Sequence, residues 1–178
     1  SLIFAGGTAQ QANGWLSGSA ELSTYKTRVG VNGAAWFEQN GGTHTVSGRL
    51  IIGENYSEEA TSMYSLHSGR LTSYDTVLGR NGDGAFRQDG GSHVVSHALE
   101  IATEGSSAYG YYTMLGGTLQ ASTINIGRGQ NQGVFALYGG TVEAQTVHID
   151  GAGVMALETN WSKTGGDLNI TNGGTFIS

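Results

Sequence analysis

The sequence repeats itself with a period in the twenties, and this constrains the fold more than any other feature. An aromatic residue recurs four positions before a glycine-containing turn in five places, and the successive turns are 27, 22, 26 and 23 residues apart. These aromatic residues are Phe37, Tyr64, Phe86, Tyr112 and Phe135. Such a period is typical of solenoids, in which each short unit buries its apolar side chains against its neighbours.

The repeat unit consists of short strands. Leu99-Glu100-Ile101 and Ile124-Asn125-Ile126 alternate apolar and polar residues, which indicates β-strands with one buried face. A second strand carries the aromatic residue, and a third follows the glycine turn. No segment keeps a 3.6-residue apolar period, so helices are not expected. The sequence predicts a single all-β domain, a parallel β-helix of about seven coils with three short strands each.

Equivalent side chains of such coils lie directly above one another, at a spacing of roughly 4.8 Å. We expect the five aromatic residues to form one internal column. A second, aliphatic column should contain Ile52, Leu78, Ile101 and Ile126. Glycine at the corners permits the positive φ that sharp bends often require.

The sequence also has a longer period of 49 residues, which is the spacing from Gln39 to Gln88 and from His44 to His93. It indicates a true repeat of two coils, one short and one long. The long coils carry extra residues at 54–62 and 103–111. We expect both long loops to emerge on the same flank, about two coils apart.

Composition excludes several classes of protein. The chain has 31 glycines but no proline and no three-residue period, so it is not collagen. Its net charge is −6 and its eight basic residues are scattered, which argues against nucleic-acid binding. The absence of cysteine rules out disulfides and thiolate metal sites. No apolar run approaches the roughly 18 residues of a membrane helix. No secretory signal is visible in the given residues, so an exported protein would be present here as its mature form or a fragment.

Two segments, 41–53 and 116–127, begin with Gly-Gly-Thr and end in an alternating strand and a glycine. They resemble the repeats of secreted bacterial β-helix proteins, including autotransporter passenger domains and their associated β-strand repeats. The resemblance covers 28–150 well, with irregular coils expected at 1–27 and 151–178. It implies a right-handed parallel β-helix, displayed at or beyond the cell surface and often adhesive or structural. The resemblance does not extend to a membrane barrel or an export signal, so we do not expect this chain to be a complete autotransporter.

Gln39 with His44, and Gln88 with His93, face inward in the predicted register. They form either buried metal or proton-relay sites, or two hydrogen-bonded polar layers, and we favour the layers. The two histidines should lie two coils apart, roughly 10 Å, which is too far for them to share one ion.

The long-loop flank is the candidate ligand surface, with Tyr56, Glu58, Glu59, Tyr109 and Tyr111 as its residues. The acidic loop that begins at Glu54 could offer calcium its oxygens, but it lacks the alternate-residue spacing of calcium loops, so we favour a solvated loop. The tyrosines could stack on sugar rings or a partner, although scattered surface tyrosines need no function. No catalytic residue, metal or cofactor is predicted.

The end coils are the candidate self-association sites, through Leu2, Phe4, Ile170 and Phe176. The segment from Leu2 is assigned to the second strand of a coil, and the segment 168–177 to the second and third strands. Neither end shows a capping helix or charged edge residues, which solenoids normally need. The chain is therefore either a piece of a longer passenger or a subunit whose ends pair with other copies.

The function expected from these features is structural: an extracellular subunit that stacks head to tail into a filament or surface layer. Its partner would then be itself, with no nucleic-acid binding and no membrane insertion. The first alternative is an adhesive passenger fragment that binds glycan or a host protein through the long-loop flank. The second is a polysaccharide-active enzyme, which would need paired carboxylates in a groove.

Overall fold

The computed structural model describes residues 1–4, 11–55, 61–158, 167–171 and 173–178. These residues form 14 strands and no helix, and all pairings between named strands are parallel. The predicted β-solenoid of about seven coils is confirmed, while its right-handed sense stays a prediction. The strands are β1 Leu2–Phe4, β2 Ala12–Thr24, β3 Thr27–Val29, β4 Ala35–Ile52, β5 Ser62–Leu78, β6 Asp83–Gln88, β7 Ser92–Ile101, β8 Tyr109–Met114, β9 Thr118–Ile126, β10 Gln132–Leu137, β11 Thr141–Asp150, β12 Val154–Leu157, β13 Asp167–Thr171 and β14 Thr175–Ile177.

The winding produces three parallel sheets, which we call first, second and third by their order along each coil. The first sheet consists of β1, β3, residues 49–52, 75–78, 98–101, 123–126 and 146–150, and β13. The second consists of residues 12–17, 35–40 and 62–66, with β6, β8, β10, β12 and β14. The third consists of residues 21–24, 43–46, 70–73, 92–95, 118–121 and 141–144.

The strands of the first coils are longer than predicted. β2, β4 and β5 have 13, 18 and 17 residues and run through corners that we expected to end a strand. The reason is that neighbouring coils bend together, so the ladder of parallel pairs resumes after each corner with only a short register shift. A corner in the path of the chain therefore need not interrupt the strand.

Both predicted internal columns are confirmed. The five aromatic rings are at most 2% exposed. Successive ring centroids along the column lie 4.9, 5.2, 4.8 and 5.2 Å apart. Met155 and Phe176 continue the column in register beyond Phe135. The aliphatic residues Ile52, Leu78, Ile101 and Ile126 pair in one line on the first sheet and are fully buried.

Phe4 closes the N-terminal end of the aromatic column from the neighbouring sheet. Gly14 occupies the aromatic position of the first coil, opposite Phe37. A Cβ atom at Gly14 would stand only 2.4 Å from the Phe4 ring, so the ring fills the space that a side chain would take. The Phe4 and Phe37 rings lie 5.1 Å apart. The column thus continues although its own strand supplies no aromatic residue.

The structure corrects our assignment of both end segments. β1 pairs with β3 and therefore belongs to the first sheet, not the second. β13 pairs with the first-sheet part of β11, and β14 pairs with β12 of the second sheet. The error arose because strands of both sheets end within a few residues of a glycine corner, so a single segment matches either corner. Only pairing with the adjacent coil distinguishes the two.

At five corners that directly follow a first-sheet strand, at Gly30, Gly53, Gly79, Ala102 and Gly127, the backbone is left-handed. Gly53, Gly79 and Gly127 have φ of 73°, 67° and 73° there. Ala102 takes the same corner with φ of 53°. Since a Cβ atom disfavours this conformation, the coil at Ala102 carries local backbone strain that the glycine-containing coils lack.

Gly84 offers a test of how closely the coils approach each other. It has no positive φ, but a Cβ atom there would lie 2.0 Å from the Ile52 carbonyl oxygen. We expect Gly84→Ala to lower the free energy of unfolding by more than about 4 kcal/mol, since backbone must move to admit the methyl group. Gly18→Ala is the control, because Gly18 has φ of 65° and open space around it. It should cost only about 1–2 kcal/mol. Urea denaturation of both variants measures this, and equal losses would contradict the close approach.

Candidate functional site

Two equivalent hydrogen-bonded clusters cross the otherwise apolar interior. In the first polar cluster the Tyr64 hydroxyl donates to Gln39 Oε1 at 2.6 Å and lies 3.0 Å from His44 Nδ1. His44 Nε2 lies 3.2 Å from Thr27 Oγ1, which is 2.8 Å from Thr24 Oγ1. The amide of Gln39 donates to two main-chain carbonyl oxygens. The second polar cluster makes the same bonds with Ser73, Thr76, Gln88, His93 and Tyr112.

The bonds assign one protonation state to each histidine. Because the Tyr64 proton is given to Gln39, the tyrosine oxygen accepts from His44, and we therefore assign the hydrogen to Nδ1. Nε2 then accepts from the Thr27 hydroxyl. Burial lowers the pKa of His44 to about 4 and that of His93 to about 3. Both rings are therefore neutral at pH 7, and each polar atom has a partner.

The favoured prediction of two hydrogen-bonded layers is confirmed, but its bonding pattern differs from the one expected. Glutamine and histidine do not bond to each other, because a tyrosine hydroxyl from the next coil stands between them. The hydrogen bonds that Tyr64, Tyr112, Thr27 and Thr76 make to the two histidines were not predicted from the sequence. A signal for the threonines was available, since Thr27 and Thr76 obey the same 49-residue offset.

The described starts of both long loops, at Glu54 and Glu104, lie on one flank, and a charged network joins them there. Arg80 lies between them: its Nη1 is 3.1 Å from Glu54 Oε1 and its Nε is 3.1 Å from Glu104 Oε2. Arg28 Nε adds a contact of 3.1 Å to Glu54. Arg49 pairs with Glu104, and its Nε is 3.8 Å from an oxygen of Asp75. Glu54 is therefore not part of a solvated loop, contrary to our expectation, since it is only 7% exposed.

Basic residues that are scattered in the sequence meet in this charged network. Arg28, Arg49 and Arg80 come from three successive coils. Ile51 and Val77 lie on the same outer side of the first sheet, outside the core cluster, yet are fully buried. The charged network therefore lies on the same flank as a second, smaller buried apolar patch, which is formed by Ile51 and Val77.

A polar hollow of about 450 Å³ continues this flank toward the C-terminal coils. Glu100, Asn125 and His148 line it from successive strands of the first sheet, with Arg128 at the corner. Glu100 is already engaged, since Asn125 and Thr103 both donate to its oxygens. The hollow thus presents hydrogen-bonding groups rather than a free pair of carboxylates.

The predicted ligand-flank residues are only partly described. Tyr56, Glu58 and Glu59 fall outside the described residues. Tyr109 and Tyr111 lie in β8 of the second sheet rather than on a loop, and are 37% and 40% exposed. Tyr111 stands in an outward-facing column with apolar residues of the other coils. The column contains Trp36, Met63, Ala85, Tyr111, Val134 and Val154.

The terminal coils expose apolar positions that are buried elsewhere in the stack. Leu168 and Ile170 are 38% and 47% exposed, whereas Val147 and Ile149, their partners one coil earlier, are fully buried. Leu2, Phe4 and Phe176 are half-buried. Among the described strands, β1, β13 and β14 each have a neighbour on one side only.

The described residues contain no group of three or more histidine, aspartate or glutamate side chains that could hold a metal ion. In the same residues no helix is long and apolar enough to cross a membrane. Comparison of the chain with family models, with curated proteins and with solved structures found no match.

The buried histidines make stability depend on pH. Their pKa values of about 4 and about 3 lie below the ordinary 6.5, so the unfolded chain binds protons more readily than the folded one. Through these histidines, stability should be constant between roughly pH 7 and pH 8 and fall below pH 6.5, by up to about 1.4 kcal/mol per pH unit for each histidine. Urea denaturation between pH 8 and pH 4.5 measures this loss.

A variant without the second polar cluster can be built from the apolar residues that the preceding coils carry at the paired positions. Leu66, Phe86 and Leu71 pair with Gln88, Tyr112 and His93, respectively. The triple substitution Gln88→Leu, Tyr112→Phe and His93→Leu should roughly halve the acid-induced loss. An unchanged pH dependence would contradict the assignment of neutral buried histidines.

Proposed function

We propose that this chain is a structural protein, an extracellular subunit that lengthens into a filament or surface layer when coils of neighbouring copies stack end to end. The same backbone ladder that joins the coils within the chain would then join one copy to the next. The proposal assigns no catalysis and needs no cofactor.

The observation that carries the proposal is the state of the terminal coils. Leu168 and Ile170 are exposed at positions that every inner coil buries, and the outer edges of β1, β13 and β14 are unpaired in the described chain. An open edge with apolar residues is a template for pairing with another strand. Pairing that does not close into a ring produces an open fibre.

A second candidate function is adhesion to a partner through the outer face of the second sheet. The column that contains Trp36 and Tyr111 supports it, because these large rings are 44% and 40% exposed on a face that no described segment covers. Exposed apolar patches often mark interaction sites. A stable monomer that retains a glycan or protein, and loses it on Tyr111→Ser, would favour this function over stacking.

Electron microscopy of the purified protein tests the stacking proposal. We expect fibres of uniform width, with a repeat of roughly 4.8 Å along the fibre axis. The double substitution Leu168→Lys and Ile170→Lys should abolish them, because two charges would have to be buried against the next coil. Tyr138→Lys is the matched control, since Tyr138 is 51% exposed on the side of the stack. A strictly monomeric parent protein, or fibres unchanged by the double substitution, would refute end-to-end stacking.

A further inference from the structure

A hollow of about 470 Å³ lies at the corner between the third and first sheets. Three successive coils line it: Tyr25 and Lys26 from the first, 47–49 from the second, and Tyr74 and Asp75 from the third. The coils are joined there by the bond from the Gly48 amide to the Tyr25 carbonyl oxygen, 2.8 Å, and by the pairing of Arg49 with Asp75. The hollow opens on the side of the solenoid but begins at its N-terminal coil, where the Leu2 amide donates to the Lys26 carbonyl oxygen at 2.8 Å. Binding of a small ligand there is measured separately from fibre formation.

Two tyrosine rings stand on either side of a glycine in this hollow. Tyr25 and Tyr74 are 74% and 50% exposed. They are 49 residues apart, as the two-coil repeat dictates. Two coil spacings separate their backbones, roughly 10 Å. Gly48 between them has no side chain, and a Cβ atom there would lie 2.6 Å from the Tyr25 carbonyl oxygen and 3.4 Å from the Tyr25 ring. The Tyr25 ring therefore packs closely against Gly48 and forms part of the floor of the hollow.

The Tyr74 ring is held in place from its far side. His97 stacks on it, with ring centroids 5.1 Å apart and an interplanar angle of 14°. Asp75 fixes His97 in turn, through a contact of 2.8 Å between Oδ1 and Nδ1. One face of Tyr74 is thus covered, and the ring offers its other face to the hollow with little orientational freedom left to lose on binding.

Lys26 supplies the hollow with a positive charge that has no ion-pair partner among the described residues. Asp75 is occupied by His97, by Arg49 and by the Ala98 amide. Burial and the nearby guanidinium groups, Arg28 first among them, lower the pKa of Lys26, and the Glu54 carboxylate opposes them only in part. An anion placed beside Lys26 would relieve this repulsion and gain a charge-assisted hydrogen bond.

We propose that this hollow binds a carboxylated sugar ring, such as a uronic or sialic acid residue of a glycan. The apolar face of the ring stacks on Tyr74 and the carboxylate pairs with Lys26. The Ser47 hydroxyl, which donates to the Thr24 carbonyl oxygen, accepts a hydrogen bond from a ring hydroxyl. Exposed aromatic faces beside a single cation suit a ring with one negative charge. A volume of about 470 Å³ is within the usual range of small-ligand sites.

The test is titration calorimetry of the whole chain with trigalacturonate, with sialyllactose and, as a neutral control, with maltotriose. We expect at least one acidic sugar to bind about tenfold more tightly than maltotriose. Raising the salt concentration should weaken that preference. Trigalacturonate and sialyllactose distinguish the two sources of the carboxylated ring.

Three variants locate the binding. Lys26→Gln should reduce the affinity for the acidic sugar to that for maltotriose, and Tyr74→Ala should abolish binding of both. Tyr138→Ala is the matched control, with a tyrosine that is 51% exposed elsewhere on the surface. All three side chains are at least partly exposed, so equal thermal midpoints should confirm that the variants fold. Absence of saturable binding up to about 10 mM, equal affinity for maltotriose, or binding unaffected by Lys26→Gln and Tyr74→Ala would overturn the proposal.

Discussion

The rest of the structure depends on the parallel backbone ladder between successive coils. Because each coil hydrogen-bonds to the next in register, each inward side chain lies on its counterpart one coil away. Which side chain fits at a position therefore depends on its two neighbours in the column. Same-face pairs of this kind stabilise a sheet by about 0.2–1 kcal/mol each. The Phe4 ring shows how strong this constraint is. It crosses from the first sheet to fill the one aromatic position that Gly14 leaves vacant.

The polar clusters link coils in a way that apolar columns do not. Each tyrosine hydroxyl reaches back to a glutamine and a histidine of the preceding coil, so the bonds form only in one register. Apolar columns tolerate a shift between coils better, since leucine and phenylalanine have no partner to lose. We infer that the clusters fix the register between successive coils. Because the core histidines must stay neutral, the free energy of unfolding then falls at acid pH.

The outer surface of the solenoid differs from flank to flank. On the first sheet, ion pairs around Arg80 hold Glu54 and Glu104 on the same flank as a buried apolar patch. The second sheet instead leaves Trp36 and Tyr111 exposed. The corner between third and first sheets holds the tyrosine-lined hollow. Because each flank repeats every coil, a small difference in one coil produces a local site on an otherwise regular surface.

The sequence by itself determined the solenoid, the two internal columns, the polar layers and the shared flank on which the long loops begin. These features follow from periodicity, because identical positions in successive coils have identical surroundings. The sequence did not reveal which sheet the end segments join, since glycine corners look alike until the adjacent coil is in place. Nor did it reveal Tyr64 as the hydrogen-bonding bridge, the burial of Glu54 or the hollow at Tyr74. Each of these joins residues from two or three coils, and only the tertiary structure decides which side chains of different coils meet.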